Sequence, residues 1–164
     1  MDLVLQFFQD ALFAAIAAIG FAAISRPPGK AYLWCAVIAA AGHSIRFLLM
    51  QTGAHVHIVI ATTLAAFVVG VLAVLISPRA KVPAETYLFP ALLPMIPGMY
   101  AYRTFGALVM CLYGGEQTFN HSFFLFASNG LTCFFILLGM VVGATLPIFF
   151  MPGISFRATR SKLI

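Results

Sequence analysis

Apolar residues run along this chain in stretches of about 20 residues, and short polar connections separate them. A helix of that length crosses the roughly 30 Å hydrocarbon core of a membrane and satisfies its own backbone polar groups. The pattern therefore predicts an all-α integral membrane protein in which residues 1–164 form one transmembrane domain. We expect a bundle of about five transmembrane helices, at residues 3–24, 31–51, 56–76, 87–113 and 123–151.

The fourth predicted span has a backbone that cannot remain one straight helix. Its central stretch contains three prolines followed by a glycine: Pro90, Pro94, Pro97 and Gly98. Each proline removes a backbone donor and clashes with the preceding turn, and glycine adopts backbone angles that other residues avoid. We therefore predict that this span is discontinuous, with a break near residues 95–98.

The break has two interpretations. Irregular backbone is tolerated in a bilayer only where protein buries it or where it lines a cavity. The helix that begins after Gly98 would direct free N–H groups and a positive dipole end toward an anion, with Pro94, Pro97 and Met99 beside it. The break is thus either a substrate-binding site or a kink needed for packing.

The composition argues against several other classes of protein. Hydrophobic residues make up 63% of the chain and charged residues 8%, and the mean hydropathy is +1.05. The short polar connections offer no platform for nucleic acid or for catalysis on large substrates. The sequence has no Gly-rich phosphate loop or nucleophile elbow, so we predict neither an enzyme nor a bound cofactor. The three cysteines lie in apolar runs, which predicts buried thiols rather than a disulfide.

The basic residues predict the orientation in the membrane, because lysine and arginine near span ends mark the cytoplasmic side. They occupy alternate connections: Arg26 and Lys30, then Arg79 and Lys81, then Arg157, Arg160 and Lys162. We therefore expect the N-terminus outside and the C-terminus inside the cell. An odd number of spans is unusual for a complete transporter, so we expect this chain to form half of a transporter whose other half has the inverted topology.

Four ionisable side chains lie inside predicted spans, where each one costs at least a few kcal/mol: Asp10, His43, Arg46 and Arg103. Counted inward at about 1.5 Å per residue, Asp10 and Arg46 reach the same depth, roughly 10 Å, in antiparallel neighbours. One interpretation is an ion pair that locks these two helices, with His43 bonded to a backbone carbonyl. The other, compatible with it, is that Asp10 and His43 exchange protons while Arg46 binds a substrate carboxylate.

Two further side chains are candidates for the substrate site. Arg103 lies little more than a turn beyond Gly98, and it either adds charge at the break or extends to the outer surface. Asn129 either contacts substrate or bonds to another helix. His55 and His57 form a His-x-His pair, but no carboxylate or cysteine lies nearby in the sequence, so we predict no metal site.

Several short motifs together resemble those of a known transporter family. They are Gln9-Asp10, Gly20-Phe21-Ala22, Trp34-Cys35-Ala36, Gly42-His43 with Arg46, Leu49-Met50, Pro94-Met-Ile-Pro97-Gly98 and Ala101-Tyr102. In this order the chain resembles the threonine/serine exporter superfamily, and more narrowly the small YjjB-type subunit of its two-component members. The resemblance carries over six residues, Asp10, His43, Arg46, Pro94, Pro97 and Gly98, whereas Arg103 lies outside the motifs.

The resemblance implies a bacterial inner-membrane exporter that works with a larger YjjP-type membrane subunit. Its two-component members are associated with export of succinate, and its fused single-chain members with export of threonine and serine. We therefore expect a secondary exporter of small carboxylates, succinate above all, with a periplasmic N-terminus and a cytoplasmic C-terminus. A threonine/serine exporter subunit and a non-transporting membrane scaffold are the alternatives, and assembly into a higher oligomer stays open.

Overall fold

The computed structural model describes residues 3–51 and 56–155, and every regular element in these ranges is helical. The prediction of an all-α membrane protein is confirmed. The elements are α1 (Leu3–Ser25), α2 (Gly29–Gln51), α3 (Ile58–Ala80), α4 (Glu85–Leu92), a 3₁₀ turn (Leu93–Met95), α5 (Gly98–Tyr113), α6 (Glu116–Phe150) and the short α7 (Pro152–Ser155).

Four helices in the described ranges are long and apolar enough to cross a membrane, judged by length and composition: Leu3–Ser25, Gly29–Gln51, Ile58–Arg79 and Glu116–Phe150. They overlap four of the predicted spans. The remaining predicted span, at 87–113, contains α4, the 3₁₀ turn and α5, each of which is shorter than a bilayer crossing requires. The number of crossings therefore stays a prediction.

The predicted break in this segment is present. α4 ends at Leu92, and α5 begins at Gly98 with Pro97 as its N-cap, at φ −78° and ψ 59°. Pro97 has no backbone N–H and restricts the residue before it to extended angles, so the helix cannot continue through it. The amide of Gly98 donates instead to the carbonyl of Ile96 at 2.8 Å.

Pro90 lies within α4 without breaking it. A helical residue at this position would donate its amide to the carbonyl of Thr86, four residues earlier, and proline has no amide hydrogen to give. The thiol of Cys35 on α2 donates to that carbonyl at 3.9 Å. A side chain from a neighbouring helix thus supplies a hydrogen bond that the backbone of α4 cannot make.

The last long helix, α6, begins at Glu116, earlier than the predicted span start at 123. The turn before it needs only two residues, because Gly115 takes φ +74°, a left-handed conformation that glycine adopts at little steric cost. The Thr118 hydroxyl donates to the carbonyl of Gly114 at 2.5 Å, and Glu116 places a carboxylate at the positive end of the helix dipole. The polar residues after the turn therefore start the helix rather than form a loop.

The chain folds into two compact units. The main unit contains described residues 3–51, 56–95 and 139–155, and the hairpin unit contains residues 96–138. The core of the main unit is built from small side chains that are no more than 1% exposed, including Ala18 and Ala22 of α1, Ala31 and Ala39 of α2, Ala65, Ala66 and Ala73 of α3 and Ala91 of α4. Such residues let helices approach closely, and close packing is what holds helices together in lipid.

Within the main unit, glycines bring α3 against the last part of α6. A Cβ on Gly143 would meet the carbonyl oxygen of Thr63, and a Cβ on Gly139 would meet the hydroxyl of the same residue. From the other helix, a Cβ on Gly70 would lie 2.5 Å from the carbonyl oxygen of Ala144. The two backbones are therefore in contact, because the small residues allow this close approach.

Within the hairpin unit, α5 packs against the first part of α6. A Cβ on Gly130 would lie 3.3 Å from the methyl carbon of Thr104. The hydroxyl of Thr104 donates to the carbonyl of Tyr100 at 2.7 Å, so this polar group is satisfied inside its own helix. Large apolar side chains are exposed on both helices, which suits surfaces that face lipid.

Candidate functional site

Three polar side chains and one backbone carbonyl meet inside the main unit. Asp10 lies on α1, His43 and Arg46 lie on α2, and the carbonyl belongs to Met95 at the end of the 3₁₀ turn. We call these four residues the polar cluster. His43 and Arg46 are three residues apart and are therefore neighbours on one face of α2. The packing of α1 along α2 brings Asp10 to that face.

The imidazole of His43 connects the charged members of the polar cluster. Its Nδ1 atom lies 3.2 Å from Oδ2 of Asp10 and 3.3 Å from Nη2 of Arg46. The other terminal nitrogen of Arg46, Nη1, donates to the carbonyl oxygen of Met95 at 3.5 Å. Carbonyls at the end of a helix lack an intrahelical donor, so the broken segment provides an acceptor for Arg46.

Gly42 lets the 3₁₀ turn come close to α2. A Cβ at this position would lie 2.5 Å from Cγ2 of Val69 on α3 and 3.5 Å from the sulfur of Met95. A larger side chain would push α3 or the turn away from α2. The glycine that precedes His43 therefore helps to set the position of the Met95 carbonyl.

The members of the polar cluster are buried to different degrees. His43 is 5% exposed, and its second ring nitrogen, Nε2, is buried without a hydrogen-bond partner among the described residues. The side chain of Asp10 is 35% exposed, and Arg46 is half-buried. Asp10 and Arg46 are thus more accessible than His43.

The chemistry of the polar cluster follows from its charges. A carboxylate only accepts hydrogen bonds and a guanidinium only donates them, whereas a neutral imidazole does one at each nitrogen. Asp10 and Arg46 carry opposite charges, so the cluster is neutral when His43 is neutral, which lowers the cost of burying it. The arrangement can therefore hold a proton on the imidazole and an anion on the guanidinium.

A family model described as threonine/serine exporter, ThrE, matches residues 10–150. The chain belongs to this exporter family. The match begins at Asp10 and includes all four members of the polar cluster. Together with the long apolar helices, it makes the chain a multi-pass membrane protein of a family of exporters.

A protein of Haemophilus influenzae, described as uncharacterized, is 38% identical to this exporter-family chain over 144 residues. The similarity covers 87% of the chain and 47% of the relative, so the chain spans about half the length of that relative. No solved structure matches the chain.

In this family member, the contacts of the polar cluster differ from the first of the two interpretations given above, a direct pair of Asp10 with Arg46 and a carbonyl partner for His43. The second interpretation needs Asp10 next to His43, and the two side chains are in contact. In the structure both charged side chains contact the imidazole, and it is Arg46 that bonds to a carbonyl. The carbonyl of Met95 was missed because a backbone group has no sequence signature, and the predicted break is the one signal that points to it.

The other predicted substrate residues are divided between the two units. Pro94 belongs to the main unit, where it lies in the 3₁₀ turn directly before Met95. The remainder belong to the hairpin unit: Pro97, Gly98, Met99, Arg103 and Asn129. A substrate site that combines the two sets therefore stays a prediction.

Within the hairpin unit, the candidates have different surroundings. Gly98 begins α5, and the side chains of Met99 and Arg103 are exposed on it. The amide of Asn129 donates to the carbonyl of Leu125 in its own helix at 2.7 Å, rather than to another helix. An open cavity of about 470 Å³ lies where α5 meets α6, and its lining contains none of the predicted substrate residues: Cys111, Leu112, Gly115, Glu116, Phe119 and Asn120.

The His-x-His pair lies partly outside the described residues, because His55 falls between the two ranges. His57 is the N-cap of α3, and its ring accepts a hydrogen bond from the amide of Val59 at 3.4 Å. In the part of the chain that the structure describes, no three His, Cys, Asp or Glu side chains are grouped to hold a metal.

Proposed function

We propose that this chain is the small membrane subunit of a secondary exporter of small carboxylates, with succinate as the first candidate substrate. The proposal depends above all on the half-buried guanidinium of Arg46, which bonds to a ring nitrogen and to a carbonyl oxygen. A substrate carboxylate would replace these contacts with a bidentate, charge-assisted pair, which is stronger than either of them.

Asp10 and His43 give the proposed exporter a place for protons next to the anion site. A carboxylate and an imidazole at 3.2 Å can pass a proton between them. Transport would follow by alternating access, in which the polar cluster is open first to the cytoplasm and then to the outside. Pro94, Pro97, Gly98 and Met99 form the segment whose broken backbone would move or line the path.

The proposed exporter includes a larger YjjP-type subunit. The Haemophilus influenzae relative is about twice as long as this chain, because the aligned residues cover 47% of it. That difference in length supports an exporter in which this domain works beside a second domain or subunit. We place both subunits in the inner membrane of a bacterium.

Threonine or serine is the alternative substrate, and the description of the family favours it. An amino acid carries a carboxylate that suits Arg46 and an ammonium group that needs an anionic partner. Asp10, with 35% of its side chain exposed, lies in the same cluster and can pair with an ammonium group. The polar cluster is therefore compatible with both classes of substrate.

Efflux from membrane vesicles tests the proposal. Vesicles are loaded with labelled succinate or, separately, labelled threonine, and they contain this chain, the larger subunit, or both. We expect rapid efflux of succinate with both subunits and background efflux with either one alone. Efflux of threonine alone would establish the amino-acid exporter instead. A stable complex that exports neither compound would contradict the proposal and favour the scaffold.

The orientation in the membrane gives a second prediction. Arg79 and Lys81 follow the apolar part of α3, and the three basic residues near the C-terminus lie outside the described residues. Because basic residues stay in the cytoplasm, a reporter fused after Ile164 is expected to be cytoplasmic, and one inserted after Gly115 periplasmic. A periplasmic reporter after Ile164 would contradict this orientation, as expected if the 87–113 segment returns to the side from which it enters.

A further inference from the structure

The Nδ1 atom of His43 has two polar neighbours that cannot both be hydrogen-bonded to it. Oδ2 of Asp10 lies at 3.2 Å and only accepts, and Nη2 of Arg46 lies at 3.3 Å and only donates. If Nδ1 carries a hydrogen, it bonds to Asp10 and repels the N–H of Arg46. If Nδ1 carries a lone pair, it accepts from Arg46 and repels the carboxylate. Neutral His43 can therefore satisfy one neighbour at a time.

We propose that this atom couples proton binding to carboxylate binding, one for one, so that neither enters the polar cluster alone. The inference deepens the proposed function and rests on it. A proton adds to the lone pair of Nδ1, the hydrogen bond from Nη2 of Arg46 to Nδ1 breaks, and Nδ1–H donates to Oδ2 of Asp10. The freed edge of the guanidinium then binds one carboxylate group of the substrate.

The charge balance of the polar cluster favours the coupling. With neutral His43, the negative charge of Asp10 and the positive charge of Arg46 cancel. A proton on His43 adds one positive charge beside Arg46, and a carboxylate bound at Arg46 adds one negative charge. The cluster is neutral when it is empty and when it holds both, and it is charged when it holds either one, which is unfavourable in a partly buried site.

Among the described residues, Asp10 and Arg46 are the charged side chains that the helices around His43 bring close to it. α3 has no titratable side chain between Ile58 and Ser77, and neither does the part of α6 in the main unit. The Met95 turn contributes an uncharged carbonyl. α4 carries Glu85 and Tyr87, but these flank Thr86, whose carbonyl contacts Cys35, eight residues or about 12 Å along α2 from His43.

The second ring nitrogen of His43 lacks a hydrogen-bond partner in the described part of the chain, and a bound ligand could supply one. Nε2 of His43 is buried and has no hydrogen-bond partner among the described residues. Nε2 carries a hydrogen both in the neutral tautomer that accepts from Arg46 at Nδ1 and in the doubly protonated ring, and a buried donor without an acceptor is costly. An oxygen from substrate or water stabilises this N–H in both states, and it stabilises the doubly protonated ring more, because a charged donor makes the stronger hydrogen bond.

Calorimetry of succinate binding to the purified two-subunit complex tests the inference. The titration is run in two buffers that differ in ionisation enthalpy, at neutral and mildly alkaline pH, so that proton uptake is counted directly. We expect one proton taken up per succinate bound, and a loss of affinity of about tenfold per pH unit. His43→Gln should bind more weakly and without proton uptake, whereas the control His121→Gln, on the exposed start of α6, should match the wild type.

The outcomes separate this inference from the proposed function. Binding that requires Arg46 but takes up no proton would overturn the coupling and leave the exporter proposal standing. Proton uptake that persists in His43→Gln would overturn the role of His43. If the wild-type complex binds no succinate, both proposals fail together.

A spectroscopic measurement covers the case in which His43→Gln does not fold. The chain has four histidines, and replacing the other three with glutamine leaves His43 as the single imidazole. Nitrogen NMR of the labelled ring then distinguishes a singly from a doubly protonated imidazole. Succinate should convert the ring to the doubly protonated form at constant pH, and a ring that stays singly protonated in the bound complex would overturn the inference.

Discussion

Arg46→Gln is expected to reduce succinate efflux by at least about a hundredfold, which corresponds to roughly 3 kcal/mol of lost interaction with the substrate. Glutamine is two atoms shorter than arginine and loses the contacts with Met95 and His43, but α1 and α2 also pack through buried alanines that do not touch Arg46. What glutamine cannot supply is the positive charge and the two parallel N–H groups that a carboxylate binds. The loss should therefore appear in transport and not in assembly.

The measurement is efflux per assembled complex in vesicles, with the amount of complex determined separately. Arg46→Lys keeps the charge but loses the fork of donors, and we expect it to retain part of the activity. Arg79→Gln is the matched control, since Arg79 is an exposed arginine at the end of α3 and is not proposed for the site. Wild-type efflux per complex in Arg46→Gln would contradict the substrate role, and a loss of complex in proportion to efflux would favour the scaffold.

Gly143→Ala is expected to lower the free energy of unfolding by about 1–3 kcal/mol, the usual cost of overpacking a tight contact. A Cβ at this position would meet the carbonyl oxygen of Thr63 and would lie 3.2 Å from the backbone nitrogen of Phe67. Both are backbone atoms of α3, so no side-chain rotation can make room. The last part of α6 must move away from α3, and the surrounding contacts weaken with it.

Thermal unfolding in detergent, followed by circular dichroism, measures this effect. Gly20→Ala is the matched control, because a Cβ on this exposed glycine of α1 would have no atom within 4 Å. Alanine stabilises a helix by about 1 kcal/mol relative to glycine, so the control should be unchanged or more stable. Gly70→Ala approaches the same contact from α3 and should behave like Gly143→Ala. Equal stability of Gly143→Ala and Gly20→Ala would show that the two backbones are not in contact.

Much of the fold could be predicted from the sequence, because each long helix is a separate run of apolar residues and needs no knowledge of its neighbours. The break before Gly98 could be predicted for the same reason, since the effect of proline on the backbone is local. The predicted span at 123–151 does not reveal that α6 already begins at Glu116, because polar residues usually indicate a loop. Gly114 and Gly115 alone make the turn, and the residues after them are free to be helical.

The candidate site could be predicted only in part. Counting residues places Asp10 and Arg46 at one depth, but it does not give the rotation of each helix about its axis, which packing decides. That rotation determines that both side chains reach one nitrogen of His43. The partner of Asn129 was uncertain for a related reason, because a polar side chain in lipid can turn back to its own helix as readily as it crosses to another.

The hydrogen bond between the Cys35 thiol and the carbonyl of Thr86 makes the accessibility of this thiol depend on the packing of α4 against α2. The sulfur is fully buried between α2 and α4, and it holds the carbonyl that Pro90 leaves without a donor. Any stage of a transport cycle that separates α4 from α2 would open the sulfur to reagents in water. With Cys111 and Cys133 replaced by alanine, the rate of alkylation at Cys35 measures how often α4 separates from α2.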